Sequence, residues 1–207
     1  MGLPITNPGL KGKENQSAFG YLRRQVWTNP VLADVDRLKG AQATSASVIT
    51  TVTTFLAQPD FARNITITPG GTTADVPAGD VTVTGTNIRG EVITEAITIA
   101  ANATGLQSGV KAFKTVTNIH LPVRATSGDT LAVGVGDALG LDRCMQGDEV
   151  VMMTAAGVYE ATRPTVVADN DEVEKNTVNP NSSLDGAVDF VAVFVSTEKT
   201  AKIGTTA

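Results

Sequence analysis

A chain of 207 residues with 42% hydrophobic residues is long enough to bury its own core, and its net charge of −5 is modest. Cys144 is the only cysteine and His120 the only histidine, which excludes an intrachain disulfide and the usual thiolate and imidazole zinc sites. Charge is uneven: residues 1–40 carry six Lys/Arg against three acids, net +3, and the remainder is net −8. A basic segment on an acidic body suits an acidic protein surface, whereas three excess charges make a weak footprint for nucleic acid.

Residues 1–28 read as an extended arm, because Gly2, Pro4, Pro8, Gly9, Gly12 and Gly20 leave no room for a long regular element. No apolar run suits a signal peptide or a membrane span, so synthesis in a cytoplasm is expected. Gly2 and Thr6 fit the loose N-myristoylation pattern, but the ordinary start of an extended arm is the better explanation. The apolar content of the arm is concentrated in Phe19, Tyr21, Leu22, Val26 and Trp27, beside Arg23 and Arg24. This cluster either packs back on its own domain or supplies aromatic and arginine anchors for a partner. Asn29 to Lys39 predicts one short helix: Asn29 as cap, Pro30 at the first helical position, Val31, Val35 and Leu38 on one face, Gly40 as stop. The arm and helix together make a first region, residues 1–45, and residues 46–207 a β domain.

From Ser47 the texture becomes Thr, Val and Ile with frequent Gly, Asn, Asp and Pro, the pattern of short strands and tight turns. Strands are expected near 47–56, 62–68, 80–86, 91–99, 113–121, 130–135, 149–155, 157–167 and 187–196. So many strands without alternating helices predict an all-β fold, an antiparallel sandwich or barrel, with core hairpins over 47–141. In DVTVTGTNIRGEVITEAITI (80–99), Val81 and Val83 alternate with Thr82 and Thr84, Asn87 to Gly90 turns the chain, and Ile93, Ile97 and Ile99 return along one face. Glu95 falls on that isoleucine face, so it must lie at an edge, be paired, or meet another subunit.

In KAFKTVTNIHL (111–121), Phe113, Ile119 and Leu121 share one side and Lys114 and His120 the other, which makes His120 a surface or edge residue. DTLAVGVGDALGL (129–141) continues the sheet before a Gly-Asp turn. Residues 168–185 read as a polar, acidic surface loop. The apolar run AVDFVAVFV (187–195) then needs cover on both faces and should return to the middle of a sheet.

No motif for chemistry is complete. Gly134, Gly136 and Gly140 have the spacing GxGxxxG, which turns or bulges in a sheet explain better than a nucleotide loop. Asp169, Asp171, Glu172 and Glu174 resemble the first half of a calcium loop, but Val173 and Glu174 stand where a ligand and a glycine belong. No GxxxxGK[ST], HExxH or GxSxG occurs, and no serine is marked as a partner for His120. The expectation is therefore no catalytic, cofactor-binding or metal residues.

The stretches QPDFARNITIT (58–68), DVTVTGTNIRGEVITEAITI (80–99), KAFKTVTNIHLP (111–122) and DTLAVGVGDALGL (129–141) resemble the Thr/Val-rich β domain of structural proteins in tailed bacteriophages, in particular capsid decoration or cement proteins. The resemblance implies a non-enzymatic virion protein on the capsid exterior, assembled in the host cytoplasm. It further implies binding to the major capsid protein and association with itself, as a trimer or other homo-oligomer, to stabilise the head. Phe19, Tyr21, Leu22, Arg23, Arg24, Val26 and Trp27 would contact the capsid, and Glu95 a neighbouring subunit. Such β domains also serve in tail tubes, tail fibres and host-binding modules, which is the alternative reading.

Overall fold

The structure is a computed structural model that describes residues 21–71, 78–124 and 129–196. Fourteen strands follow in chain order: β1 (Tyr21–Trp27), β2 (Asp34–Ala43), β3 (Thr50–Val52), β4 (Arg63–Gly70), β5 (Gly79–Thr86), β6 (Val92–Ile99), β7 (Gln107–Phe113), β8 (Thr115–Leu121), β9 (Thr130–Gly140), β10 (Val150–Ala155), β11 (Val158–Tyr159), β12 (Thr165–Val167), β13 (Thr177–Asn179) and β14 (Phe190–Ser196). The one helical element among the described residues is a 3-10 turn at Val173–Lys175. None is long and apolar enough to cross a membrane.

The strands form three antiparallel sheets. A central sheet runs β12-β13-β9-β4-β7, with β2 also paired to β9. A hairpin sheet runs β3-β8-β5-β6, and a terminal sheet runs β1-β14-β10-β11. The fold is an all-β sandwich in which the two smaller sheets cover successive parts of the central one, giving two apolar cores. In the first, Val81, Val83, Ile93, Ile97 and Ile119 of the hairpin sheet meet Ile65, Ile67, Val133 and Val135 of the central sheet. In the second, Trp27, Phe190, Phe194 and Met153 of the terminal sheet meet Leu139, Leu141 and Val178. Strand β9 therefore serves both cores, and its passage from one to the other falls between Val135 and Leu139.

The hairpin β5–β6 forms in the expected register, with Val83 opposite Glu95 and Val81 opposite Ile97, and threonines 82, 84, 94 and 98 face outward. Strand β14 lies between β1 and β10, in the middle of a sheet, as its apolar run requires.

Other expectations need correction. The helix over Asn29–Lys39 does not form: the chain is extended there and Asp34–Ala43 is a strand. Asn29 has φ +50, so it turns the chain where a helix cap would need extended backbone, and its N–H bonds the Asp189 carboxylate at 3.1 Å. Val31 lies in the connection before β2, and Val35 and Leu38 belong to that irregular strand, which has two register shifts against β9. Gly134 permits that pairing, because a Cβ there would lie 1.9 Å from the Asp34 carbonyl oxygen. Residues 21–27, read as arm, are strand β1, paired along their length with β14. The single strand expected over 113–121 is two: the chain bends at Lys114 and passes from the central to the hairpin sheet. The strand expected over 157–167 is likewise β11 and β12, in different sheets. The Gly-Asp turn at 136–137 is a bulge inside β9.

Candidate functional site

Where β9 passes between cores, β4 is flanked by bulges on both sides. Three residues of β9 (136–138) lie opposite Asn64 alone, and three of β7 (109–111) lie opposite Ile65 alone. Asn64 ties the two together: its Oδ1 accepts from the Ala138 N–H at 3.2 Å, and its Nδ2 donates to the Gly109 carbonyl at 3.5 Å. Beside it, Arg63 is fully buried, and its guanidinium is held by polar partners. Its Nε donates to the Gly136 carbonyl at 2.7 Å, and its Nη1 to the Val31 carbonyl at 2.8 Å and to Asp60 at 3.1 Å. Its Nη2 reaches Asp137 at 3.5 Å. Burial raises the Asp60 carboxyl, but the Val31 N–H and the Arg63 charge outweigh it and hold the group below the usual carboxylate range. Four of the five guanidinium N–H groups are thus engaged within the chain, and the side chain locks strand β4 to the β1–β2 connection and to β9.

Glu95 meets two of its expected options: it lies on β6, an edge strand of the hairpin sheet, and it is paired. It is buried on the isoleucine face, and its Oε1 accepts the N–H groups of Val110 at 2.6 Å and Lys111 at 3.2 Å, two donors the β7 bulge releases from the ladder. A side chain on Gly109 would stand 2.5 Å from Glu95 Oε2, so glycine at the bulge makes room for the carboxylate. Burial pushes the Glu95 carboxyl up, against the opposing pull of those N–H groups and of Lys111 and Lys175. Glu95 thus joins β6 to β7 within one chain.

The acidic loop is held the same way. Asp169 accepts the N–H groups of Asp171 and Glu172, each at 2.8 Å, which turns the chain. Lys111 Nζ lies 3.1 Å from both Glu172 and Glu174, and Lys175 pairs with Glu172. Asn176 is fully buried; its Nδ2 donates to the carbonyls of Asp169 and Glu172, and its Oδ1 accepts the N–H groups of Met145 and Asp169. The loop's carboxylates are directed at lysines and backbone, and among the described residues no group of three His, Cys, Asp or Glu side chains is placed to hold a metal ion.

His120 stands half-exposed on the outer threonine face, between Thr51 at 3.1 Å and Asn118 at 3.2 Å. No carboxylate or buried serine joins it in these contacts. Gly134, Gly136 and Gly140 all lie in β9, each pressed against a neighbouring strand or side chain.

The residues expected to contact a partner separate by strand alternation. Phe19 lies outside the described residues, and Tyr21 opens β1 opposite Ser196. Trp27 is 1% exposed in the second core, so it is no outward anchor. Arg23 shares its inward side and is half-buried. Leu22, Arg24 and Val26 point the other way, opposite Val195, Val193 and Val191 of β14. The row continues into β10, where Met152 pairs with Val193 and Thr154 with Val191. A bulge at Val151 turns it outward beside Met152. The Glu149 carbonyl accepts the Val195 N–H at 3.0 Å, which places Glu149 at the end of the Leu22–Val195 row. The outer face of the terminal sheet is thus a largely apolar surface with Arg24 on one flank and Glu149 on the other.

A notch of about 440 Å³ opens beside it, lined by Glu149, Val150, Val151 and Val195 with the ion pair Asp148–Arg163 at 2.8 Å. The strand at 149–155 was expected, but its residues were not named as part of a contact face; the signal for one was the run AVDFVAVFV, apolar at both even and odd positions. No protein-family profile, curated protein or solved structure matches this chain.

Proposed function

We propose that this chain is a non-enzymatic structural protein of a tailed-phage particle, a capsid decoration protein that binds the outer surface of the major capsid protein lattice and stabilises the head. The observation that carries the reading is the use to which its polar residues are put. Buried Arg63, Asn64, Glu95 and Asn176 are spent on strand-to-strand and loop-to-strand bonds inside the chain. Such a body is suited to transmitting load between neighbours, as a tile on a pressurised shell must. The Thr/Val hairpin phrases that resemble phage β domains support the same reading.

In this proposal the body is the tile and residues 1–20, which carry Lys11, Lys13 and Phe19, are the tether to the capsid. Twenty residues reach about 66–72 Å when extended, enough to cross a subunit boundary. Purified chain mixed with tailed-phage capsids depleted of decoration protein should co-sediment with them and raise their resistance to heat. A chain lacking residues 1–20 should remain in the supernatant. Undiminished binding by the shortened chain would remove the tether from the proposal. Failure of the full chain to bind any capsid, with closed rings or trimers forming on their own, would favour the tail-tube or fibre reading.

A further inference from the structure

The outer face of the terminal sheet gathers exposed and half-buried apolar side chains from four neighbouring strands. The exterior of the hairpin sheet presents Thr82, Thr84, Thr94 and Thr98 with His120 and Asn118, side chains that water satisfies, and one exposed large apolar side chain, Val92 at the start of β6. The terminal sheet presents Leu22 at 68% exposure, Val151 at 60% and Tyr159 at 59%, around half-buried Val191, Val193 and Val195. A soluble surface scatters its apolar residues singly, and a contiguous patch of this kind marks an interaction site.

We propose that this face binds the same face of a second copy of the chain. The argument for a copy is charge. The apolar rows are flanked by exposed Arg24 on β1 and by the Glu149 carboxylate beside β10, on opposite sides of β14; the other two charges at the notch, Asp148 and Arg163, offset each other as an ion pair. Glu149 Oε2 is shielded from water and has no hydrogen-bond partner among the described residues. A buried acceptor without a donor is an unmet demand. In a two-fold contact every residue pair occurs twice, so a face with one cation and one unmet carboxylate across an apolar centre is complementary to itself. Arg24 of each copy then reaches Glu149 of the other, and the valines of β14 meet at the middle. The notch beside Glu149, between Val151 and Val195, leaves space for an arginine side chain.

Size sets the strength. Three rows of side chains over four strands cover roughly 400 Å², from strand spacing of about 4.8 Å and about 6.6 Å between same-face residues. That is about half of the ~800 Å² per partner in a standard interface. The isolated pair should therefore associate in the micromolar range, and bind firmly where copies are held close together on a surface. The inference does not depend on the capsid proposal.

Sedimentation equilibrium of the full chain from about 1 to about 200 µM tests it. The expected result is a monomer–dimer equilibrium in that range. Leu22→Asp should weaken dimerisation at least tenfold, with Trp27 emission and thermal midpoint unchanged because Leu22 is exposed on an edge strand. Arg24→Glu and Glu149→Arg should each weaken it, and the double reversal Arg24→Glu with Glu149→Arg should restore it. A chain monomeric across the whole range overturns the proposal and leaves the face to another partner or to the chain's own ends. A dimer indifferent to Leu22→Asp, or a double reversal no stronger than the single variants, overturns it equally.

Discussion

Replacing Arg63 by methionine keeps most of the buried stem and removes every donor. Two carbonyls, of Gly136 and Val31, lose bonds of 2.7 and 2.8 Å, and the Asp60 carboxylate loses its guanidinium at 3.1 Å. An acceptor left unmet in the interior costs about 1–3 kcal/mol, and breaking a buried ion pair from one side about 3–5 kcal/mol. Asp60 keeps the Val31 N–H at 2.9 Å, so the lower end of these ranges applies, and the sum is about 5 kcal/mol. Against a total stability of roughly 5–15 kcal/mol, that is a third or more of the whole. At about 2–4 °C per kcal/mol for a chain of this size, the melting midpoint should fall by roughly 10–20 °C. Urea unfolding followed by fluorescence reads the change directly, since Trp27 is the single tryptophan and lies buried in the second core. Arg63 also sits where the two cores meet, so far-UV circular dichroism and Trp27 fluorescence should coincide in the native chain and separate in Arg63→Met. A variant within about 1 kcal/mol of the native protein, with coincident transitions, would refute the assignment of Arg63 as the lock between cores.

The bulge at Gly109 gives a second test. Gly109→Ala sets a methyl against Glu95 and should cost about 1–3 kcal/mol, but the same change in a Glu95→Ala background should cost clearly less. Additive losses in that double-mutant cycle would show that the two residues do not act together. Burial raises the Glu95 carboxyl above its ordinary 4.5, so its protonated form is favoured in the fold. Its contribution is fully present below pH 4.5 and is lost as pH rises through the raised value. Urea midpoints of Glu95→Gln should lack that decline, whereas a parallel pH profile would count against it. Asp60 has the opposite sign: held below its ordinary 3.8, it stabilises above that value and the gain is lost as pH falls through the lowered one. The acid limb of Asp60→Asn should be correspondingly flatter. Lys111→Met breaks two pairs of 3.1 Å, one of them to buried Glu174, and should cost about 1–2 kcal/mol. High salt should reduce the loss; a loss independent of salt would point to packing by the lysine stem.

The hairpin β5–β6 was legible because both of its signals are local, strict alternation in residues 81–84 and a turn at Asn87–Gly90. Glu95 was legible as an anomaly and its partner was not, since the donors belong to a bulge fifteen and sixteen residues away, tied to Asn64 on the neighbouring strand. Strand β7 was missed for the same reason: Gly109 and Lys111 break the alternation that marks a strand, and they break it because the strand is bulged there. The false helix over 29–39 shows tertiary structure overriding local pattern. Asn29, Pro30 and a four-residue apolar spacing are adequate helix signals alone, and the deciding fact is a glycine at position 134 that lets a backbone dock. The partner-binding cluster was half legible. Apolar density at 19–27 marked the segment, but only alternation within a strand tells which side chains go inward, so Trp27 was grouped with Leu22 when they face opposite ways.

The pairing of β1 with β14 dictates an order of events. Tyr21 lies beside Ser196, and every later pair along β1 joins residues more than 160 positions apart. Strand β10 also finds its sheet neighbour only in β14 and the short β11. During synthesis, the second core must wait with Trp27 and Met153 uncovered until residues 190–196 clear the ribosome. The first core, made from β2 through β9, can close before that. Folding should therefore show two phases, with the slower one reported by Trp27, because long-range closure is the slow step in all-β chains. Translation that stalls before residue 190 would leave a half-built body with its most apolar surfaces exposed, a natural substrate for chaperones and proteases.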